Sequence, residues 1–263
     1  MNNPTIFIED NESAIMQFES VVIRIFDVDF MLFDLLFTAI WMVVLYKKGY
    51  IKPLIFGFFG ILINLLVDYG IWYSIQGIRT IENLPLWMSP FAFFVYFSIT
   101  YGMVEYSYVQ VMFSIDDESK NAIREMLFWS LFLFGGWLLF GLLSAIVPIS
   151  DSEITVARVM TSQRIYQVYA VIGEYVLLGI LAYLGKFGLT WKKILYIFAV
   201  GFFVHFSMET TLLLAGIRVL DLFNLIFNSI VEFNTGAPIL YLLLFAVVPF
   251  FEKRLGHKEE SLQ

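Results

Sequence analysis

Residues 191–218 read WKKILYIFAVGFFVHFSMETTLLLAGIR. The core from Ile194 to Ile217 is long enough, as a helix, to cross the hydrocarbon part of a bilayer. Within it His205 and Glu209 stand four residues apart and share one helical face. An ionisable group at that depth costs at least ~2.5–3.5 kcal/mol, so it requires partners, water or an ion. The stretch therefore sets two expectations: a membrane-spanning helix, and a polar site to which other spans contribute.

The rest of the chain agrees with a membrane setting. Of 263 residues 60% are hydrophobic and 15% charged, with 29 Phe, and the mean hydropathy is +0.80. A soluble domain carries about 25% charged residues and has no core large enough to hide this much apolar surface. The apolar runs are continuous rather than alternating, which favours helices over a barrel. The expected fold is all-α, a polytopic helical bundle with spans at 29–46, 53–77, 86–113, 126–148, 164–184, 193–217 and 220–251. One seven-helix domain over 29–251 then lies between an extracytoplasmic segment, 1–28, and a tail, 252–263. Within the first segment Ile15, Phe18, Val22 and Ile25 recur at helical spacing, as in a short amphipathic helix on the membrane surface or an extension of span 1.

Charge sets the orientation. Lys47, Lys48, Lys52, Lys120, Arg124, Lys186, Lys192, Lys193, Lys253, Arg254 and Lys258 fall on one side of the seven spans. Arg24, Arg79, Arg158, Arg164 and Arg218 fall on the other. The lysine-rich side is expected to be cytoplasmic, with the N-terminus outside and the C-terminus inside an integral cell-membrane protein. No signal peptide is expected, because no basic segment precedes an apolar core at the N-terminus. Sliding 47–79 onto 186–218 gives seven identities in 33 positions, including Gly77-Ile78-Arg79 on Gly216-Ile217-Arg218. Spans 1–3 and 5–7 would then be parallel copies joined by span 4.

Depth along the spans brings polar residues of different helices to one level. Asp68, Glu174, His205, Glu209, Glu232 and Asn234 form the central candidate site, in the outer half of the bilayer. Asn64, Asn228, Arg79 and Arg218 are secondary, and Glu105 is placed nearer the cytoplasm. Buried carboxylates beside an imidazole suit a cation, a polyol or a proton relay, with Glu209 or Glu232 as the proton exchanger. If a metal is present, His205, Glu209, Glu174 and Glu232 are its expected ligands. Span 7 covers 32 residues, roughly 48 Å of straight helix against a core of about 30 Å. Glu232 to Pro238, EFNTGAP, offers a place for it to break, and broken spans line transporter cavities. The outer arginines read most simply as side chains reaching for headgroups, and Trp41, Trp72 and Trp87 as interfacial anchors.

Absences narrow the field. There is no nucleotide-binding P-loop, no H-E-x-x-H, and no cysteine. The seven-span, N-out arrangement resembles that of opsins and of sugar carriers built from two three-helix bundles, in architecture alone. Span 7 has no lysine for a retinal Schiff base, so no retinal is expected, and the cofactor is otherwise unknown. The leading expectation is a transporter of a small solute or cation, proton-coupled through one carboxylate. Two alternatives stay open: an intramembrane enzyme on a lipid or isoprenoid substrate, and a seven-helix sensor or subunit of a membrane complex. The expected partners are the bilayer, a small solute, cation or lipid-like molecule, and further copies or subunits, but no nucleic acid.

Overall fold

A computed structural model describes residues 21–115, 119–159, 161–219 and 221–260. The chain is predominantly helical, and among the described residues three strands join the helices into one assembly. In order these are β1 (Val21–Asp27), α1 (Val28–Lys47), α2 (Ile51–Ile75), β2 (Arg79–Glu82), α3 (90–114), α4 (Ala122–Ile146), β3 (Glu153–Val159), α5 (Thr161–Tyr183), α6 (Trp191–Leu214), α7 (Leu222–Val231) and α8 (237–260). Polar side chains start several helices where the sequence changes character. Asp27, Ser89, Thr190 and Asp221 accept hydrogen bonds from the first-turn N–H groups of α1, α3, α6 and α7.

Among the described residues five helices are long and apolar enough to cross a membrane: α1, α2, α4, α5 and α6. Each overlaps an expected span. The other two expected spans are helical but differ in kind. α3 carries Glu105, Gln110 and several hydroxyl side chains, and the last span breaks between Val231 and Ala237. Gly236 has φ 136°, a backbone region that side chains rarely adopt, and Pro238 opens the next helix. Most of the expected tail is helical, as α8 runs on to Glu260.

The sheet differs from expectation. Residues 21–27, read as the second half of an amphipathic helix, form a strand; residues 13–20 of that reading lie outside the described residues. β3 pairs antiparallel with β1 on one side and β2 on the other. Alternate side chains point inward: Val22, Arg24 and Phe26 from β1, Ile154, Val156 and Arg158 from β3, and Arg79 from β2. The two flanks of the β1–β3 pair are finished alike. The Val159 N–H donates to the Ile78 carbonyl at 2.9 Å, and the Ile25 N–H to the Ile217 carbonyl at 3.0 Å. Both acceptors follow a left-handed glycine, Gly77 (φ 62°) and Gly216 (φ 76°), that turns the chain at a helix end.

Aromatic packing fills the space between α1 and α4, where Trp41 stacks on Phe132 at 5.2 Å and meets Trp129 edge-on at 5.3 Å. The α2–α3 crossing is closer still. A methyl group on Gly102 would lie 2.6 Å from the backbone of Gly60, so glycine alone permits this approach. Both helices widen into π geometry, over Leu65–Ile75 and Ser98–Gly102, and these stretches border the cavity described next.

Candidate functional site

Three arginines hang from the inner face of the sheet, and each meets a carboxylate on a helix. Arg24 reaches Glu209 at 2.8 Å, Arg79 reaches Asp68 at 2.8 Å and Arg158 reaches Glu232 at 2.7 Å. Two more join from elsewhere: Arg218 contacts Glu209 at 2.6 Å, and Arg164, in α5, contacts Glu232 at 2.6 Å. All five arginines are buried. The expectation that the outer arginines extend to headgroups is thus replaced by one physical fact: a guanidinium beside a buried carboxylate offsets the desolvation of both. Burial lowers Arg158 to about 9 against the pull of Glu232, and lowers Arg79 against that of Asp68. Arg24 is also buried, but Glu209 and Glu232 together outweigh burial and raise it.

Beneath the arginines lies a cavity of about 460 Å³, open on one side. Asn64, Asp68 and Trp72 of α2 line it, as do Tyr101 and Glu105 of α3, His205 of α6, and Glu232, Phe233, Thr235 and Gly236 at the break in the last span. The indole of Trp72 sits under two guanidinium groups, 5.1 Å from that of Arg79 and 4.6 Å from that of Arg158. His205 is central: Nε2 is 3.3 Å from Glu232 and 3.5 Å from Glu209, and Nδ1 is 3.8 Å from Glu105. Among the described residues several buried polar atoms around this space have no hydrogen-bond partner, namely Arg24 Nε, Arg79 Nε, the Tyr101 hydroxyl, Glu105 Oε1 and His205 Nε2. Buried groups left unmatched in this way are the mark of a space that water or a ligand fills.

Of the central candidates, Asp68, His205, Glu209 and Glu232 come together. Glu174 and Asn234 serve the helix break instead. Glu174 accepts from the Gly236 N–H at 3.1 Å, and Asn234 accepts from the Tyr175 hydroxyl at 2.6 Å while donating to the Ile230 carbonyl. Among the secondary residues, Asn64 and Arg79 line the cavity and Arg218 backs Glu209. Asn228 is fully buried away from the cavity, with both side-chain polar atoms unmatched. Glu105 is the larger surprise. Placed toward the cytoplasm by residue counting, it faces the same cavity, and among the described residues it has no arginine at ion-pair distance. Both oxygens of Glu209 and one of Glu232 are taken by guanidinium groups. Among the described residues no three His, Cys, Asp or Glu side chains are grouped to hold a metal ion.

Sequence reasoning did not bring Arg24, Arg158, Arg164 or Tyr101 into the site. The available signal was the isolated arginine in VVIRIFD and in EITVARV, two short β-branched stretches.

The fold and its apolar helices fit a multi-pass membrane protein. Compared with protein-family models, curated proteins and solved structures, the chain matches none.

Proposed function

We propose that this chain is a membrane-embedded carrier whose ligand occupies the cavity beneath the sheet. The carrier has seven spans, N-terminus outside, arranged as two three-helix halves joined by α4. The observation that carries this reading is a single cavity lined by both halves, meeting at a broken span and bordered by unmatched buried polar atoms. Duplication of the halves is supported by the equivalent hydrogen bonds at Ile78 and Ile217. A two-fold axis normal to the sheet, between β1 and β3, would exchange those edges and carry Arg24 onto Arg158. Such an axis along the membrane normal is the signature of a parallel repeat. Coupling to protons would run through Glu105 and His205.

A second reading, an intramembrane enzyme on a lipid-like substrate, is favoured by the open side of the cavity. One experiment covers both. Molecules retained by the purified protein are identified by mass spectrometry for the wild type and for Thr235→Trp, which fills the cavity. A near-stoichiometric species present only in the wild type, and moved unchanged across liposome membranes, establishes the carrier. Chemical conversion of that species establishes the enzyme, and an identical set from both proteins removes the cavity from function.

A further inference from the structure

The open side of the cavity has a definite place. α2 lines it from one side and α8 from the other, yet these two helices do not pack extensively on each other along its height. Ile63 of α2 and Ile239 of α8 both line the cavity while remaining about half exposed, at 41% and 50%. They are the two jambs of a lateral window. Lys52 of α2 and Glu252 of α8, both exposed, pair at 2.8 Å.

The lining is of two kinds: Arg24, Arg79, Arg158, Trp72 and Tyr101 stand with the carboxylates of Asp68, Glu105 and Glu232, while Ile63, Val67, Ile239, Leu240 and Leu243 are apolar. Among the described residues the unmatched atoms at the polar end include three donors, Arg24 Nε, Arg79 Nε and the Tyr101 hydroxyl, all on buried residues, beside His205 Nε2 and one acceptor on Glu105. Cationic donors in a low-dielectric pocket select an oxyanion. An apolar wall that opens sideways into hydrocarbon selects a chain attached to it.

We infer that the ligand is an amphiphile with a phosphate-type anionic headgroup, entering sideways from the outer leaflet between α2 and α8. Its headgroup lies under Arg24 and Arg79 with the Tyr101 hydroxyl donating to it, and its chains leave past Ile63 and Ile239. This rests on the carrier reading, in that both use the same cavity, and it narrows the substrate from any small solute to an acidic lipid-like one. A soluble phosphate ester shares the headgroup chemistry, so the test must separate the two.

Binding is measured on the purified full-length protein in detergent with three probes: short-chain phosphatidylglycerol, short-chain diacylglycerol and glycerol phosphate. Phosphatidylglycerol is expected to bind at least about tenfold more tightly than either of the others, the worth of one charge-assisted hydrogen bond. Ile239→Trp, which narrows the window, should abolish that binding. Tyr101→Phe removes a hydroxyl with no partner among the described residues, so it should leave thermal stability unchanged and weaken phosphatidylglycerol about tenfold while sparing diacylglycerol. Equal affinity for the two lipids, or an unaffected Tyr101→Phe, overturns the anionic headgroup. Glycerol phosphate binding as tightly as the lipid overturns the amphiphile and leaves the carrier of a small solute standing. Binding indifferent to both Ile239→Trp and Thr235→Trp overturns the carrier reading as well.

Discussion

Arg24 Nη2 lies 2.8 Å from Glu209 Oε1, joining positions 185 residues apart in the chain. Strand β1 is thereby fastened to the C-terminal part of α6, and Arg218 holds the other oxygen of the same carboxylate at 2.6 Å. Glu209 is wholly buried, so its role in the fold is to neutralise two buried guanidinium groups.

Glu209→Gln should therefore destabilise the protein by about 3–5 kcal/mol, because it strands buried charge rather than removing a pair. Arg24→Gln added to it should recover part of that loss. Unfolding of the purified single and double variants gives both numbers, and a neutral Glu209→Gln would remove the ion pair from the fold's energetics.

Glu105 should behave differently. With His205 at 3.8 Å as its ion-pair neighbour, Glu105→Gln should change stability by only about 0.6 kcal/mol, typical of a polar contact between membrane helices. In liposomes, uptake that depends on pH for the wild type should become independent of it in this variant. Unaltered pH dependence would take Glu105 out of the coupling step.

The α2–α3 crossing gives a test with an internal control. Gly102→Ala should cost about 1–3 kcal/mol, since its methyl group would meet the Gly60 backbone. Gly135→Ala, in α4, meets nothing within 4 Å and should cost nothing. Thermal unfolding of the two variants separates a packing effect from a general intolerance of alanine.

Because the chain has no cysteine, orientation can be read from single cysteines introduced into it. With the N-terminus outside, a cysteine at the exposed Thr80 of β2 should react with a membrane-impermeant maleimide on intact cells. One at the exposed Lys186 should react only after permeabilisation. The reverse pattern would invert the topology.

The membrane helices were legible because burial in lipid demands long apolar runs, and those survive any detail of packing. The break at Gly236 and Pro238 was legible for a similar local reason. The sheet was not. In VVIRIFD the outward residues Val21, Ile23 and Ile25 are as apolar as the inward Val22 and Phe26, so the two-residue period is hidden, and the inward position that would mark it holds Arg24. The site was half legible: helical spacing aligned His205 with Glu209, but the partners that satisfy them arrive from strands distant in sequence. The contact of Glu105 with His205 was not legible, because depth counted along separate straight helices ignores the π stretch of α3.

The most direct test is the reactivity of a cysteine at position 235, at the helix break and on the cavity wall. In delipidated protein a ligand cavity requires that a small maleimide label it far faster than a cysteine at the buried Thr211, and that an extract of the host membrane slow the reaction. Labelling as slow as at 211, or a rate the extract leaves unchanged, would contradict a binding site between the two halves.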